Sequence, residues 1–338
     1  MLPSRQISLR ATMLLVLCGL LSVSSQAQLP TKRMSRLGRA TAAQSTVFAD
    51  ATTRPRATIG QSGLNFSFGL IDFPRSPDTM ATGLNSRGDI VGLYGPNLPA
   101  YEGTEQSYVL EGNSFQELIY PGATYTGGLG INKSRKIVGW YTSPGDDMHG
   151  FLRKGKTYTN IDYPGSENTL AININDSGVI IGDHYQNTTG IIHGFILNKG
   201  VYTTIDPPNS TYTEPTGINS AGVIVGDYED QNFVNHGFIY QHGQFTIVDY
   251  PGASNTQLTG INDQGQMVGG YGDDVIIGSE DWPNPNAFFL DQGTFTPFQA
   301  PVGDARVTWT GTLNGNHFVG LYADSLGNIY GYEGTLGQ

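Results

Sequence analysis

Cysteine is almost missing from this chain: Cys18 is the only one in 338 residues. It lies in an N-terminal segment with the marks of a secretory signal. Arg5 and Arg10 open that segment, an apolar run from Met13 to Leu21 follows, and Ser25-Gln26-Ala27 places small residues for cleavage after Ala27. The run is too short for the roughly 20 residues a membrane-spanning helix needs. Leu17 is too large for the position before an acylated cysteine, which argues against a lipoprotein signal. A mature chain without Cys18 has no disulfide, no thiol nucleophile and no zinc–thiolate site. That fits a bacterial envelope or extracellular protein held together by its own core, and the expected location is extracellular or periplasmic.

Basic residues are also scarce, except near the N-terminus. Eight of the 18 Lys and Arg precede residue 60, but only one of the 29 acids does, Asp50. Residues 28–59 are therefore basic and poor in apolar side chains, as expected of a flexible linker. From residue 60 onward 28 acids face 10 bases, a balance of −18. Such a surface repels phosphate backbones and anionic lipid, so it argues against nucleic acid and membrane surfaces as partners. It also serves solubility.

Other absences narrow the chemistry. No helical period of apolar residues runs through residues 60–338. There is no Gly-rich phosphate loop, serine elbow or His-x-x-x-His zinc motif. The Asn-Asp-x-Gly stretches at Asn175 and Asn262 lack the alternating oxygen ligands and bidentate Glu of a calcium loop, and read as hairpin turns. No cofactor is implied, and metal binding stays open.

What the sequence has in quantity is glycine, 46 residues of it, and much of it recurs in register. The segment from Gly217 to Tyr228, GINSAGVIVGDY, has relatives beginning at Gly83, Gly130, Asn173, Gly260 and Leu313. The glycine of the Ile-Val-Gly step falls at Gly92, Gly139, Gly182, Gly226, Gly269 and Gly320. Its spacings of 47, 43, 44, 43 and 51 residues are those of a propeller blade. Each repeat reads as four short strands. Strand A ends at Ile-Asn, Asn-x-x-Gly turns the chain, and strand B is Ile-Val-Gly-x-Tyr. After a variable loop come strand C (His193-Gly194-Phe195-Ile196 in the third repeat) and strand D, closed by Pro207 in that repeat. The C–D turns start with glycine at Gly112 and Gly155, which suits type II′. They end with it at Gly200, Gly243 and Gly293, which suits type I′.

Ring closure is legible as well. A lone strand D at residues 66–73 opens the domain, and residues 328–332 end it with a strand C that has no D of its own. The N-terminal strand is expected to complete the last blade and remove a bare sheet edge. The sequence thus predicts an all-β fold: a six-bladed β-propeller with four antiparallel strands per blade, closed by the N-terminal strand. Residues 1–27 are the signal peptide, 28–59 the linker and 60–338 the propeller.

These residues resemble the HAF family of predicted extracellular repeats, whose signature runs roughly G-I-N-x-x-G-x-I-V-G-x-Y, then H-G-F, then I-D-x-P-G. The resemblance covers nearly everything from Phe66 onward, and is fullest in the blades containing His149, His193 and His236. It implies export and a propeller-like architecture. It carries over no catalytic residue.

Each of those histidines precedes an aspartate by thirteen residues: Asp162, Asp206 and Asp249. A two-residue turn between them sets each His across from its Asp. Where the His is replaced, by Gln106 or Asn286, the Asp is replaced too, by Ile119 or Gln299. The pairs are read as repeated structural hydrogen bonds, expected to be largely buried, because a catalytic group is needed only once.

Loop lengths point to a binding surface. Four of the B–C loops hold seven residues, while 95–105 in blade one and 272–285 in blade five hold eleven and fourteen. Variable loops on a rigid scaffold are where binding usually resides. Tyr101, Glu102 and Glu105 on one long loop, with Asp273, Asp274, Glu280, Asp281 and Trp282 on the other, are the candidate ligand-binding residues. The leading expectation is a secreted, non-catalytic binding or scaffolding propeller. It would meet an extracellular polysaccharide, an envelope component or a protein at the B–C loop face. The alternative is a propeller-fold polysaccharide hydrolase or lyase using loop carboxylates.

Overall fold

The structure, a computed structural model, describes residues 56–61, 64–96, 98, 105–142, 147–186, 188–272, 286–300 and 307–337. Among these residues every regular element is a β-strand, and no helix is long and apolar enough to cross a membrane. Two strands come first, β1 (Arg56–Gln61) and β2 (Leu64–Ile71). Repeat one holds β3 (Asp78–Leu84), β4 (Ile90–Gly95), β5 (Gln106–Glu111) and β6 (Ser114–Leu118). Repeat two holds β7 (Tyr125–Ile131), β8 (Lys136–Thr142), β9 (Met148–Lys154) and β10 (Thr157–Ile161). Repeat three holds β11 (Asn168–Ile174), β12 (Ile180–Tyr185), β13 (Ile192–Asn198) and β14 (Val201–Ile205). Repeat four holds β15 (Tyr212–Ile218), β16 (Ile224–Glu229), β17 (Asn235–Gln241) and β18 (Gln244–Val248). Repeat five holds β19 (Asn255–Ile261), β20 (Met267–Gly272), β21 (Asn286–Asp291) and β22 (Thr294–Phe298). The chain ends with β23 (Val307–Asn314), β24 (His317–Ala323) and β25 (Ile329–Gly337).

Within each group, consecutive strands pair antiparallel, so the fold is all-β and propeller-like, built from four-stranded sheets. β25 pairs antiparallel with β2, and β3 packs against the sheet that contains them. Two features depart from the expected six separate sheets. Hydrogen bonding joins the described strands into five sheets, because repeats three and four merge through a parallel pairing of Ile192 with Tyr212. In addition β2 is not outermost: β1 pairs on its far side, giving the order β1-β2-β25-β24-β23. The linker boundary drawn at residue 59 therefore falls inside a strand. Composition could not reveal it, because an edge strand needs a partner's backbone and no apolar face of its own.

The repeated Ile-Val-Gly glycine is set by close approach. A Cβ at Gly92 would lie 2.0 Å from the Met80 carbonyl oxygen and 2.6 Å from the Tyr108 hydroxyl. At Gly226 it would lie 2.1 Å from the Glu214 carbonyl and 2.8 Å from the Phe238 ring. At Gly92, Gly182, Gly226, Gly269 and Gly320 the strand-C aromatic thus lies over the strand-B glycine, and the two motif pieces are one contact. The C–D turns adopt the expected signs: φ is +61° at Gly112 and +60° at Gly155, while Lys199 and Gly200 are both positive at +51° and +83°.

Neighbouring repeats are fastened by three recurring devices. In the first, the asparagine that opens the A–B turn (Asn-x-x-Gly, or Asn132-Lys133-Ser134-Arg135 in repeat two) donates from Nδ2 to the next repeat's backbone. Asn85 reaches the Asn132 carbonyl at 3.0 Å, Asn132 reaches Asn175 at 3.1 Å, Asn175 reaches Asn219 at 3.1 Å and Asn219 reaches Asn262 at 3.2 Å. Asn262 ends the series on the Gly315 carbonyl at 2.7 Å. The same side chains accept at Oδ1 from their own turns, as Asn85 does from the N–H groups of Arg87 and Asp89. In the second device, the residue before the Pro-Gly step donates its N–H to a threonine of the next strand A: Tyr120 to Thr126, Tyr163 to Thr169 and Tyr250 to Thr256. Its ring stacks on the next strand B, with Tyr120 and Tyr141 centroids 3.6 Å apart and Tyr163 and His184 3.5 Å apart. The third is apolar: Val91, Val109 and Leu118 of repeat one pack with Ile131, Ile137 and Phe151 of repeat two.

Every strand A also carries a β-bulge, as between Ala81 and Gly83 or between Pro215 and Gly217. The residue passed over, Thr82, Leu129, Ile172, Thr216 or Thr259, lines a shared cavity along the axis.

Two glycines separate close approach from turn conformation. Gly92→Ala should cost about 3 kcal/mol or more, at or above the upper end for overpacking, because backbone and an aromatic ring must move. Gly88, at φ +78° with nothing near its missing Cβ, should cost only about 1–2 kcal/mol as alanine. Urea unfolding of both variants measures this, and equal costs would refute the close-approach account.

Candidate functional site

Of the eight candidate ligand-binding residues, Tyr101, Glu102, Asp273, Asp274, Glu280, Asp281 and Trp282 lie outside the described residues. Glu105 is described and is buried just before β5. Other loop acids serve their own loops. Asp230 accepts from the N–H groups of Asn232 and Val234, and Asp324 from those of Leu326 and Asn328.

In the His–Asp pairs, His149 Nδ1 lies 3.0 Å from Asp162, His193 Nδ1 lies 2.7 Å from Asp206 and His236 Nδ1 lies 2.9 Å from Asp249. They are not buried as expected: the six side chains are 22–50% exposed. The hairpin carrying each pair is the outer one of its repeat, so one side of the pair stays in water. Each imidazole also stacks on the strand-B ring of its own repeat, with His149 5.3 Å from Tyr141 and His236 5.2 Å from Tyr228. Solvent screening and side-chain entropy reduce the value of such a pair. His193→Ala should therefore cost about 0.5–1 kcal/mol in urea unfolding. A loss above about 2 kcal/mol would show the pair to be more than a half-exposed hydrogen bond.

The unexpected feature lies nearer the axis, where repeats three and four meet. β16 presents Asp227 directly across from Glu214 of β15, and β12 presents Asp183 at the equivalent place in repeat three. All three are about 2% exposed. Residues directly opposed on an antiparallel pair have Cβ atoms about 4.5–5.5 Å apart, so Glu214 and Asp227 are immediate neighbours. The Tyr212 hydroxyl donates to Glu214 Oε2, and Gln257 Nε2 lies 3.4 Å from Asp227 Oδ2. Asp183 Oδ1 is buried without a hydrogen-bond partner among the described residues. Burial pushes the carboxyls of Asp183 and Asp227 up to about 8. Glu214 is held well above the usual carboxylate range by burial, and further by the charges of Asp227 and Asp183. Next to Asp183, His184 is driven down to about 4 by burial, then by the neighbouring His193, and is neutral near pH 7.

These positions were readable by alternation and were passed over. Val225 and Asp227 are two apart on β16, hence on one face, and Val225 is fully buried. The x of Ile-Val-Gly-x-Tyr is Leu93, Trp140, Asp183, Asp227, Gly270 and Leu321 in successive repeats. Only repeats three and four place an acid there.

Glu214 borders the axial cavity, whose volume is about 40 Å³ and whose wall includes Trp140, Trp309, Leu93 and Leu129. A second cavity of about 160 Å³ lies at the Asn-x-x-Gly turn end of the axis, lined by Asn132, Asn175, Asn219 and Asn262. Among the described residues no three His, Cys, Asp or Glu are arranged to hold a metal ion.

The chain matches no protein-family model and no curated protein. It is similar to several solved structures. One is a streptogramin B lyase, 12% identical, covering 80% of this chain and 98% of that one with a TM-score of 0.44. A second is the β-propeller domain of the Trilobed protease from Pyrococcus furiosus, 11% identical over 83% and 95% of the two chains, TM-score 0.46. A third is a lectin from Aleuria aurantia, 12% identical over 76% and 94%, TM-score 0.46.

The three acids set a pH dependence. In the unfolded chain these carboxyls titrate near the ordinary values of about 4. The folded Asp183 and Asp227 keep their protons up to about 8. The folded state therefore binds more protons between those limits, and stability is lost as pH rises from about 4 through about 8. Thermal unfolding from pH 5 to 9 should show this fall, and Asp227→Asn should flatten it and be the more stable form at pH 9. An unchanged slope in the variant would exclude the cluster as the source.

Proposed function

We propose that this protein is a secreted, six-bladed binding propeller whose ligand is met on the loop side of its axis at repeats three and four. In this reading the eight-stranded sheet counts as two blades, since each half is a complete four-stranded meander and one parallel pairing joins them. β2 completes the sixth blade. An extracellular or periplasmic location is part of this reading, supported by the signal-like N-terminal sequence and by the resemblance to HAF repeats.

The observation that carries the proposal is the burial of Asp183, Glu214 and Asp227 at positions that other repeats fill with Leu93, Trp140 or Met80. The fold accepts apolar residues there, so it does not need acids. Buried carboxyls whose proton affinity is strongly raised are candidates for a functional site. Binding is favoured over hydrolysis by the geometry of the pair. A glycosidase sets two carboxyls on either side of the scissile glycosidic bond, roughly 5–10 Å apart, with the bound sugar reaching both. Glu214 and Asp227 project from adjacent strands on one side of a sheet, and only Glu214 lines the axial cavity, so the two do not flank a common space there. The larger ligand, a polysaccharide, an envelope component or a protein, would lie across the loop face, with one group reaching into the axis.

The test uses the mature chain on a glycan array and on soluble extracellular polysaccharides, with new reducing ends and unsaturated products assayed in parallel. Saturable binding without cleavage is the expected result. Cleavage that is lost in Glu214→Gln would establish the hydrolase or lyase alternative instead.

A further inference from the structure

We infer that the loop face at repeats three and four is a docking surface for the basic N-terminal segment of this same chain, residues 32–39, with Phe233 as the anchor. The inference goes beyond the binding reading and holds whatever ligand that face takes. Phe233 is 77% exposed and sits at φ +64°, a left-handed conformation that strains a bulky side chain. Its loop has a counterpart in the last blade. The Phe233 N–H donates to the Asp230 carbonyl as the Gly327 N–H donates to that of Asp324, and each aspartate side chain accepts two further backbone N–H groups. Where the counterpart has a glycine at φ +85°, this loop holds an aromatic ring in water. The turn itself does not require that ring. Ile191, 40% exposed, belongs to the same patch. Its neighbour Ile192 pairs with Tyr212, and the adjoining Thr211 hydroxyl donates to Glu229 Oε1 at 2.8 Å.

The occupant follows from charge and from where the chain enters. Arg87, Lys133 and Arg135 lie at A–B turns, and Arg153, Lys156 and Lys199 at or beside C–D turns. There the acids find bases: Asp89 and Glu111 pair with Arg135, and Asp176 with Lys133. At the other end, where B–C loops and D–A connections meet, Arg75 is the one lysine or arginine among the described residues from 60 onward. The Val234 N–H holds the Asp230 carboxyl below the usual carboxylate range, so it is charged at neutral pH. Charged acids beside exposed hydrophobes fit a partner that is basic and apolar together, and an aromatic face attracts cations. Residues 32–39 read Lys-Arg-Met-Ser-Arg-Leu-Gly-Arg: four bases, no acid, and Met34 and Leu37 among them. The segment also arrives on the right side. Arg56 of β1 lies against Gly69, near the end of β2 that leads into a D–A connection, so the chain reaches β1 from the loop end. The 17 residues from Arg39 to Arg56 span up to about 60 Å, wider than the roughly 50 Å of a compact domain of this length. Tethering makes the contact intramolecular, at an effective concentration of about millimolar.

The chain from Gln28 onward has no cysteine, so disulfide trapping in the full mature chain has no background. Ser35→Cys is combined either with Gln231→Cys, beside Phe233, or with Ser325→Cys in the counterpart loop of the sheet that holds β1. A tether without affinity would meet the nearer Ser325 position more often. Docking should make the Gln231 pair oxidise about ten-fold faster or more, within one chain, at low ionic strength. That advantage should be lost at about 0.5 M salt. It should be lost equally when Lys32, Arg33, Arg36 and Arg39 are replaced by glutamine, and in Phe233→Gly. The glycine variant should unfold at no lower urea concentration than the native chain, because it relieves the left-handed strain. Loss of trapping in it would therefore report a lost contact and not a lost fold. A Ser325 pair as fast as the Gln231 pair, or trapping unchanged by the glutamine or glycine substitutions, would overturn the inference. Disulfides that form only between two chains would also overturn it and assign the face to a second copy. Ligand binding on the glycan array is read separately, so the docking and the binding propeller stand or fall apart from each other.

Discussion

The structure depends on a side-chain amide that is used twice. The asparagine of each Asn-x-x-Gly turn accepts its own turn's N–H groups at Oδ1 and donates from Nδ2 to the carbonyl of the corresponding asparagine one repeat on. One residue thus fixes both a local turn and the spacing between repeats. That spacing brings the inner strands so close that little beyond a hydrogen fits between them: a Cβ at Gly83 would meet the Leu129 carbonyl oxygen at 2.4 Å. Close inner strands push the bulged residues toward the axis and leave only small cavities there. Asn262 is the last of the series, ending on Gly315, and Thr312 Oγ1 then donates to the Thr82 carbonyl at 3.2 Å. The junction between the chain's last repeat and its first therefore uses different chemistry, where β2 supplies the missing strand.

Much of this architecture was legible in the sequence because it rests on local chemistry repeated in register. Gly112 and Gly155 opening their turns, against Gly200, Gly243 and Gly293 closing theirs, told the turn types from two residues each. The lone strand D ahead of repeat one told where the chain would close. What was not legible depended on contacts between strands without a motif. β1 pairs through its backbone, and nothing in Arg56–Gln61 announces a partner. The parallel pairing of Ile192 with Tyr212 depends on how two repeats lean together. The His–Asp pairs were legible as contacts but not as half-exposed ones, since the exposure of an outer hairpin is set by what lies beside it.

The candidate site was hidden for a different reason. Asp183 and Asp227 sit within the motif that identifies the repeat, and a motif is read for what its copies share. Comparing copies position by position shows the variable place between Gly and Tyr to be an inward one, and an acid there to be exceptional. Attention to loop length led instead to residues of which only Glu105 is described, and that one is buried.

Repeat architectures tolerate such exceptions because their stability is distributed over neighbour-to-neighbour interfaces. One interface can hold groups that destabilise it while the others, apolar and hydrogen-bonded, keep the ring intact. The interface between repeats three and four also has a reinforcement of its own in the Ile192–Tyr212 pairing. Tyr212 then does a second thing: its hydroxyl donates to Glu214, and burial together with the neighbouring carboxyls raises its own proton affinity. The strand pairing and the covering of the carboxyl share one residue, so the local fastening lies where the destabilising acids are. A structural ion pair would have placed a base beside these acids and brought their proton affinity down. Among the described residues no base acts on them, so burial leaves their charge to be met by protons at the one interface that departs from the repeat.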